Sequence, residues 1–158
     1  MYKMKKILLL ILLAFFLSSC KKNESNLIQL KMEIMKVDKD FSNFSVQNGF
    51  QNAFLTYASD EVVLLRQNNF PVIGKTNLKK LYGSRPKPDI LLTWEPLKAD
   101  VSPDGFLGYS YGKWVLTGKD SLGKEEKNYG VYVTVWKKQS DNSWKFVLDG
   151  GNSTPQLK

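Results

Sequence analysis

The sequence predicts an α+β fold, helices first and a meander of antiparallel strands after them, and three observations carry that reading. Apolar residues from Leu27 recur at helical spacing, the period changes near Glu61, and beyond Ile90 four long runs alternate with turn-forming strings. The chain has 158 residues; without the leader described below it is the length of one domain with one core.

Leu27, Leu30, Ile34, Val37, Phe41 and Phe44 follow one another at alternating intervals of three and four, which places them on one face of a long amphipathic helix. Asn48 and Gly49 end it, as a C-terminal glycine commonly does. Asp38 and Asp40 flank that stripe and read as solvated. Phe50, Ala53, Phe54, Tyr57 and Ala58 mark the apolar face of a second helix. "EVVLLR", Glu61 to Arg66, is apolar on both faces and reads as a buried strand. "FPVIG" is a short extended piece, and "TNLKKLYG" predicts a brief third helix capped by Thr76 and closed by Gly83.

Four strands are expected at residues 90–101, 106–117, 129–138 and 144–149. The turn "SPDGF" sets their first register: Pro103 and Asp104 suit a type I turn and Gly105 the left-handed position after it, giving a three-residue hairpin loop. Ser102 then faces Phe106, Trp94 faces Trp114, and Glu95 faces Lys113.

At the other end, Lys3, Lys5 and Lys6 precede the apolar run Ile7 to Leu17, too short to span a bilayer as a helix but matching the core of an export signal. "LSSC" follows directly and resembles the lipobox of bacterial lipoproteins, in which the cysteine receives diacylglycerol and becomes the mature N-terminus. The expected organisation is a signal peptide at 1–19, a lipidated tether at 20–26, a folded domain at 27–152 and a tail at 153–158. Acylation of Cys20 would anchor the protein to the lipid bilayer of the cell envelope, since more than one acyl chain gives stable attachment. Lys21 is not the aspartate of an inner-membrane retention signal, which points to the outer membrane.

Composition narrows the chemistry. Removing the three leader lysines leaves 20 basic against 15 acidic residues, a net +5 that is spread along the chain; nucleic-acid binding is not expected. Cys20 is the only cysteine, so neither a disulfide nor a thiolate metal site can form. Histidine is absent, which removes His-based triads and His metal ligands and leaves carboxylates, Tyr, Lys and Arg for catalysis. No metal and no cofactor are expected.

The strings "FLTYASDEVVLLR", "PVIGKTNLKKLY", "LTWEPLKADVSPDGFLGYSYGKWVLT" and "GVYVTVWKKQSDNSWKFVLDGGN", in this order, resemble the SnoaL-like proteins of the nuclear transport factor two-like superfamily, in a branch with no assigned function. The resemblance covers residues 27–152. It implies a cone made of a strongly curved antiparallel sheet around the N-terminal helices, with a pocket at the open end. It does not choose between a binding domain and an enzyme of isomerase, dehydratase or cyclase type, because the fold hosts both.

Asp149, at the end of the last strand, is the candidate base, or else a turn-forming residue before Gly150 and Gly151. Tyr111 or Arg66 would stabilise developing negative charge in the enzyme reading. Arg66, Trp94, Glu95, Lys113 and Tyr57 are the candidate ligand-binding residues. Trp94 and the other strand aromatics read equally as cross-strand packing, and Glu95 with Lys113 as an outer-face ion pair. The reading reached is a lipid-anchored domain that binds a small, partly apolar molecule or a partner protein, with a homodimerising scaffold as a further alternative.

Overall fold

A computed structural model of the chain describes residues 2–83 and 89–156, with side chains for residues 25–83 and 89–156. Helix α1 spans Tyr2–Asn48, α2 Phe50–Tyr57 and α3 Lys75–Gly83. The strands are β1 (Ala58–Leu64), β2 (Val72–Ile73), β3 (Leu91–Val101), β4 (Leu107–Lys119), β5 (Glu125–Lys138) and β6 (Trp144–Thr154). They form one sheet in the order β2-β1-β6-β5-β4-β3, antiparallel except for the β1–β6 pair, with the helices packed against it. The expected α+β architecture is therefore observed. The stretch expected to be a tether is helical backbone within α1, and the side chain of Cys20 lies outside the described residues.

The buried face of α1 is not the purely apolar stripe that the spacing suggested. Leu30, Ile34, Asp38, Phe41 and Ser45 are buried, at intervals of four, four, three and four, while Val37 and Phe44 sit half-buried at the margin. Ser42 and Ser45 are buried because β3 is an edge strand whose backbone groups need partners. Ser42 Oγ accepts the Trp94 N–H at 2.9 Å, and Ser45 Oγ donates to the Leu92 carbonyl at 2.8 Å. Phe41 fills the centre of the core, its ring 4.5 Å from Trp94, 4.8 Å from Tyr57 and 5.0 Å from Phe54.

The β3–β4 register carries two offsets that cancel. The hairpin closes with Ser102 N–H on the Leu107 carbonyl at 2.7 Å, so the loop holds four residues, one more than expected, and Val101 faces Gly108. A bulge between Pro96 and Lys98 then inserts Leu97, and beyond it Trp94 faces Trp114 and Glu95 faces Lys113 as expected. Pro96, which has no N–H to offer a ladder, sits at the irregularity. Two further differences affect local chemistry. Helix α3 begins at Lys75, which leaves Thr76 inside its first turn, and β6 continues through Gly150 and Gly151 to Thr154. Asp149 is therefore a strand residue facing its neighbours squarely, Leu64 on one side and Thr134 on the other.

Candidate ligand pocket

The inward faces of β3 to β6, the end of β1 and the three helices enclose a cavity of about 450 Å³, within the range of small-molecule sites. Its depth is aromatic and aliphatic, with Phe41, Phe54, Leu64 and Trp94 all buried. The mouth is formed by exposed residues, among them Leu65, Arg66, Gln67, Ile90 and Asn152.

Close backbone approach makes room for the floor. Gly112 faces Tyr132 across the β4–β5 ladder, and a Cβ at Gly112 would run into the Glu95 carbonyl and come within 2.8 Å of the Tyr132 hydroxyl. Gly130 faces Trp114 in the same way, and the indole lies where a Cβ would stand. Two glycines thus let two aromatic side chains lie down along the concave face, leaving the space above them open.

Two carboxyl groups organise the polar part. Asp149 lines the cavity, and Thr134 Oγ1 donates to its Oδ2 at 2.6 Å. Part of the residue reaches the cavity, but the protein crowded around its carboxyl removes hydration and pushes the pKa up to about 7, with the nearby Asp38 adding to the rise. Asp38, 0% exposed, lies behind the floor. It accepts the Trp94 indole N–H at Oδ1 and the Tyr132 hydroxyl at Oδ2, both at 2.8 Å, and bonds the Ser110 hydroxyl; Ser110 in turn accepts the Trp136 indole N–H at 2.8 Å. Burial raises the Asp38 pKa and the three hydrogen bonds oppose the rise. Tyr132 is held further toward its neutral form by burial and by the Asp38 charge.

Of the residues that the sequence singled out, Asp149, Arg66 and Trp94 come together in this cavity. Four do not. Tyr111 is 43% exposed on the outer face of β4, opposite Val133, because the alternation along the strand turns Ser110 and Gly112 inward; it cannot act on a bound molecule. Glu95 and Lys113 form an exposed ion pair at 3.0 Å on that outer face, not a ligand-binding pair. Tyr57 stacks on the far side of Phe41 under Lys145 and does not reach the cavity. Asp38, expected to be solvated, is the opposite. Its signal was present: it continues the four-residue steps from Leu30 and Ile34, whereas the stripe expected from the spacing runs through Val37 and leaves Asp38 on its flank. Tyr132 and Thr134 were missed because alternation shows which residues share a face, not which face is concave. Among the described residues, no group of His, Cys, Asp or Glu could hold a metal ion.

No protein-family model matches the chain, and no curated protein matches it. Solved structures do. An NTF2-like protein with a cystatin-like fold from Novosphingobium aromaticivorans aligns with a TM-score of 0.67 at 11% identity, over 85% of this chain and 88% of that one. A ketosteroid isomerase-like protein from Erwinia carotovora atroseptica aligns at 0.62 and 13%, over 77% and 95%. The CaMKII hub of S. rosetta aligns at 0.64 and 14%, over 78% and 96%. At such identities the likeness establishes the fold, and the fold is the NTF2-like one.

Proposed function

We propose that the chain is a lipid-anchored envelope protein whose single NTF2-like domain binds a small, largely apolar molecule. The observation that carries the binding reading is the cavity itself: about 450 Å³, open at one end, walled by aromatic rings, with one incompletely hydrogen-bonded carboxyl inside. The anchor rests on the "LSSC" string behind a basic and apolar leader. Titration with the neutral dye Nile red tests the pocket. Saturable binding of one dye per chain, weakened when Ile90→Trp narrows the mouth, is expected; absence of saturable binding would sink the reading.

An enzyme of isomerase or dehydratase type is the second reading, favoured by an Asp149 whose pKa falls near neutrality. It stands behind the first because Tyr132, the hydroxyl nearest in role to a charge-stabilising donor, already donates to Asp38. Deuterium exchange next to the carbonyl of a bound ketone, present in the native chain and absent in Asp149→Asn, is the result this second reading requires. The hub and association domains among the similar structures also support a homodimer, for which the exposed Tyr109, Tyr111 and Val133 on the outer sheet face are the candidate contact. Sedimentation of the native chain and of Tyr111→Lys would reveal it.

A further inference from the structure

Two charged or ionisable side chains of the cavity, Arg66 and Asp149, keep hydrogen-bonding atoms without a partner among the described residues. At the mouth, the Arg66 guanidinium makes no ion pair or side-chain hydrogen bond among the described residues. Lysines elsewhere on the surface, among them Lys31, Lys113 and Lys138, are matched to carboxylates. An unmatched arginine at the rim of an apolar cavity is a fork of donors facing the place a ligand must pass. Deeper inside, Asp149 Oδ2 takes the Thr134 hydroxyl, and Oδ1 has no partner among the described residues.

Their spacing follows from the sheet. Leu64 faces Asp149 in the parallel β1–β6 pair, and Arg66 lies two residues beyond Leu64, among the exposed residues of the mouth. The chain leaves β1 at Leu64, and the next residues, Leu65, Arg66 and Gln67, all line the cavity on its way out. Across the cavity from β1 and β6, the strands β3 and β4 contribute Trp94 and Trp114 to the lining.

We infer that the cavity takes an amphiphilic monoanion: an anionic head held by Arg66 at the mouth, a flat apolar body along the aromatic walls, and a hydrogen-bond acceptor such as a ketone reaching Asp149. The inference rests on the pocket reading above and adds the chemical class of its ligand. Because Thr134 occupies Oδ2, the proton of a neutral Asp149 resides on Oδ1 and points to the acceptor. The titratable and charged groups around it are Asp38 from α1, Tyr132 from β5 and Arg66 beyond the end of β1; the charge of Asp38 acts on Asp149, and the charges of both aspartates act on Tyr132.

The test uses the full-length chain and a matched set of probes: 6-oxo-6-phenylhexanoate, its neutral primary amide, and 6-phenylhexanoate, which lacks the ketone. The keto acid is expected to bind about tenfold more tightly than its amide, the advantage of one charge-assisted contact, and Arg66→Gln is expected to erase the difference. The keto acid should also bind more tightly than 6-phenylhexanoate at pH 6, with that preference lost by pH 8 and pH-independent in Asp149→Asn. Equal affinity for acid and amide, or an acid preference that survives Arg66→Gln, would overturn the anionic head. A ketone preference unchanged between pH 6 and pH 8 would overturn the Asp149 contact. Nile red binding separates the two levels: if the dye binds and the acids do not, the pocket stands and the ligand class falls.

Discussion

Asp149 and Asp38 show how one residue type takes two jobs in one core. Asp149 keeps its proton in the folded chain up to about pH 7, while an ordinary aspartate releases it near 3.8. Between those values the native state binds the extra proton, so the contribution of this residue to stability falls as pH rises from about 4 to about 7. Asp104 and Asp141 act in the other direction and in another window: neighbouring Ser102 and Ser143 hydroxyls hold their pKa values down, so their contribution is lost only as pH falls below the usual carboxylate range. Urea midpoints measured from pH 5 to pH 7.5 should therefore rise in Asp149→Asn relative to the native chain, with the gap widening toward pH 7.5. An unchanged or narrowing gap would mean the carboxyl is ionised throughout. Asp38 is a positioning residue, since it fixes the Trp94 indole and the Tyr132 hydroxyl under the cavity without facing it. Asp38→Ala strands buried donors and is expected to cost about 3 kcal/mol by chemical denaturation. A loss under about 1 kcal/mol would show that water replaces the carboxylate and that the network is not a structural requirement.

Among the elements, β4 and β5 decide the shape of the site. Gly112 and Gly130 let Tyr132 and Trp114 lie along the ladder, so Gly112→Ala should destabilise the fold by about 2 kcal/mol and unseat the Tyr132 ring. Tyrosine fluorescence or the hydroxyl's resonance in NMR would report the second effect even if the fold tolerates the first. The elements also mark where sequence reasoning runs out. Helix α2 was legible to within a residue, because period and glycine punctuation are local signals. The Trp94–Trp114 register was also legible, although the loop is one residue longer than expected and Leu97 restores the frame. A bulge is set by how the sheet must bend around α1, and the bend is a property of packing. The orientation of α1 itself was misjudged for the same reason: the Ser42 and Ser45 hydroxyls are buried to satisfy the edge of β3, a partner more than 45 positions away in sequence.

At the scale of the whole molecule, the lipid anchor proposed at Cys20 would keep the pocket near a membrane surface, where amphiphilic acids concentrate. Cys20→Ser is expected to move the protein from the membrane fraction to the soluble one and to abolish labelling with palmitate. Retention in membranes after that substitution would remove the lipid anchor from the proposal. The proposed export signal and lipobox rest on the sequence alone, since such signals are read as a linear string before any fold exists. The class of fold was also written in the sequence, because the alternation of apolar residues follows from backbone geometry. Which face of each strand is concave, which aspartate is buried, and that Arg66 has no side-chain partner among the described residues were decided only in the tertiary structure. Each depends on groups far apart in the chain meeting in space, where water is excluded and every unpaired polar atom must find a partner or a ligand.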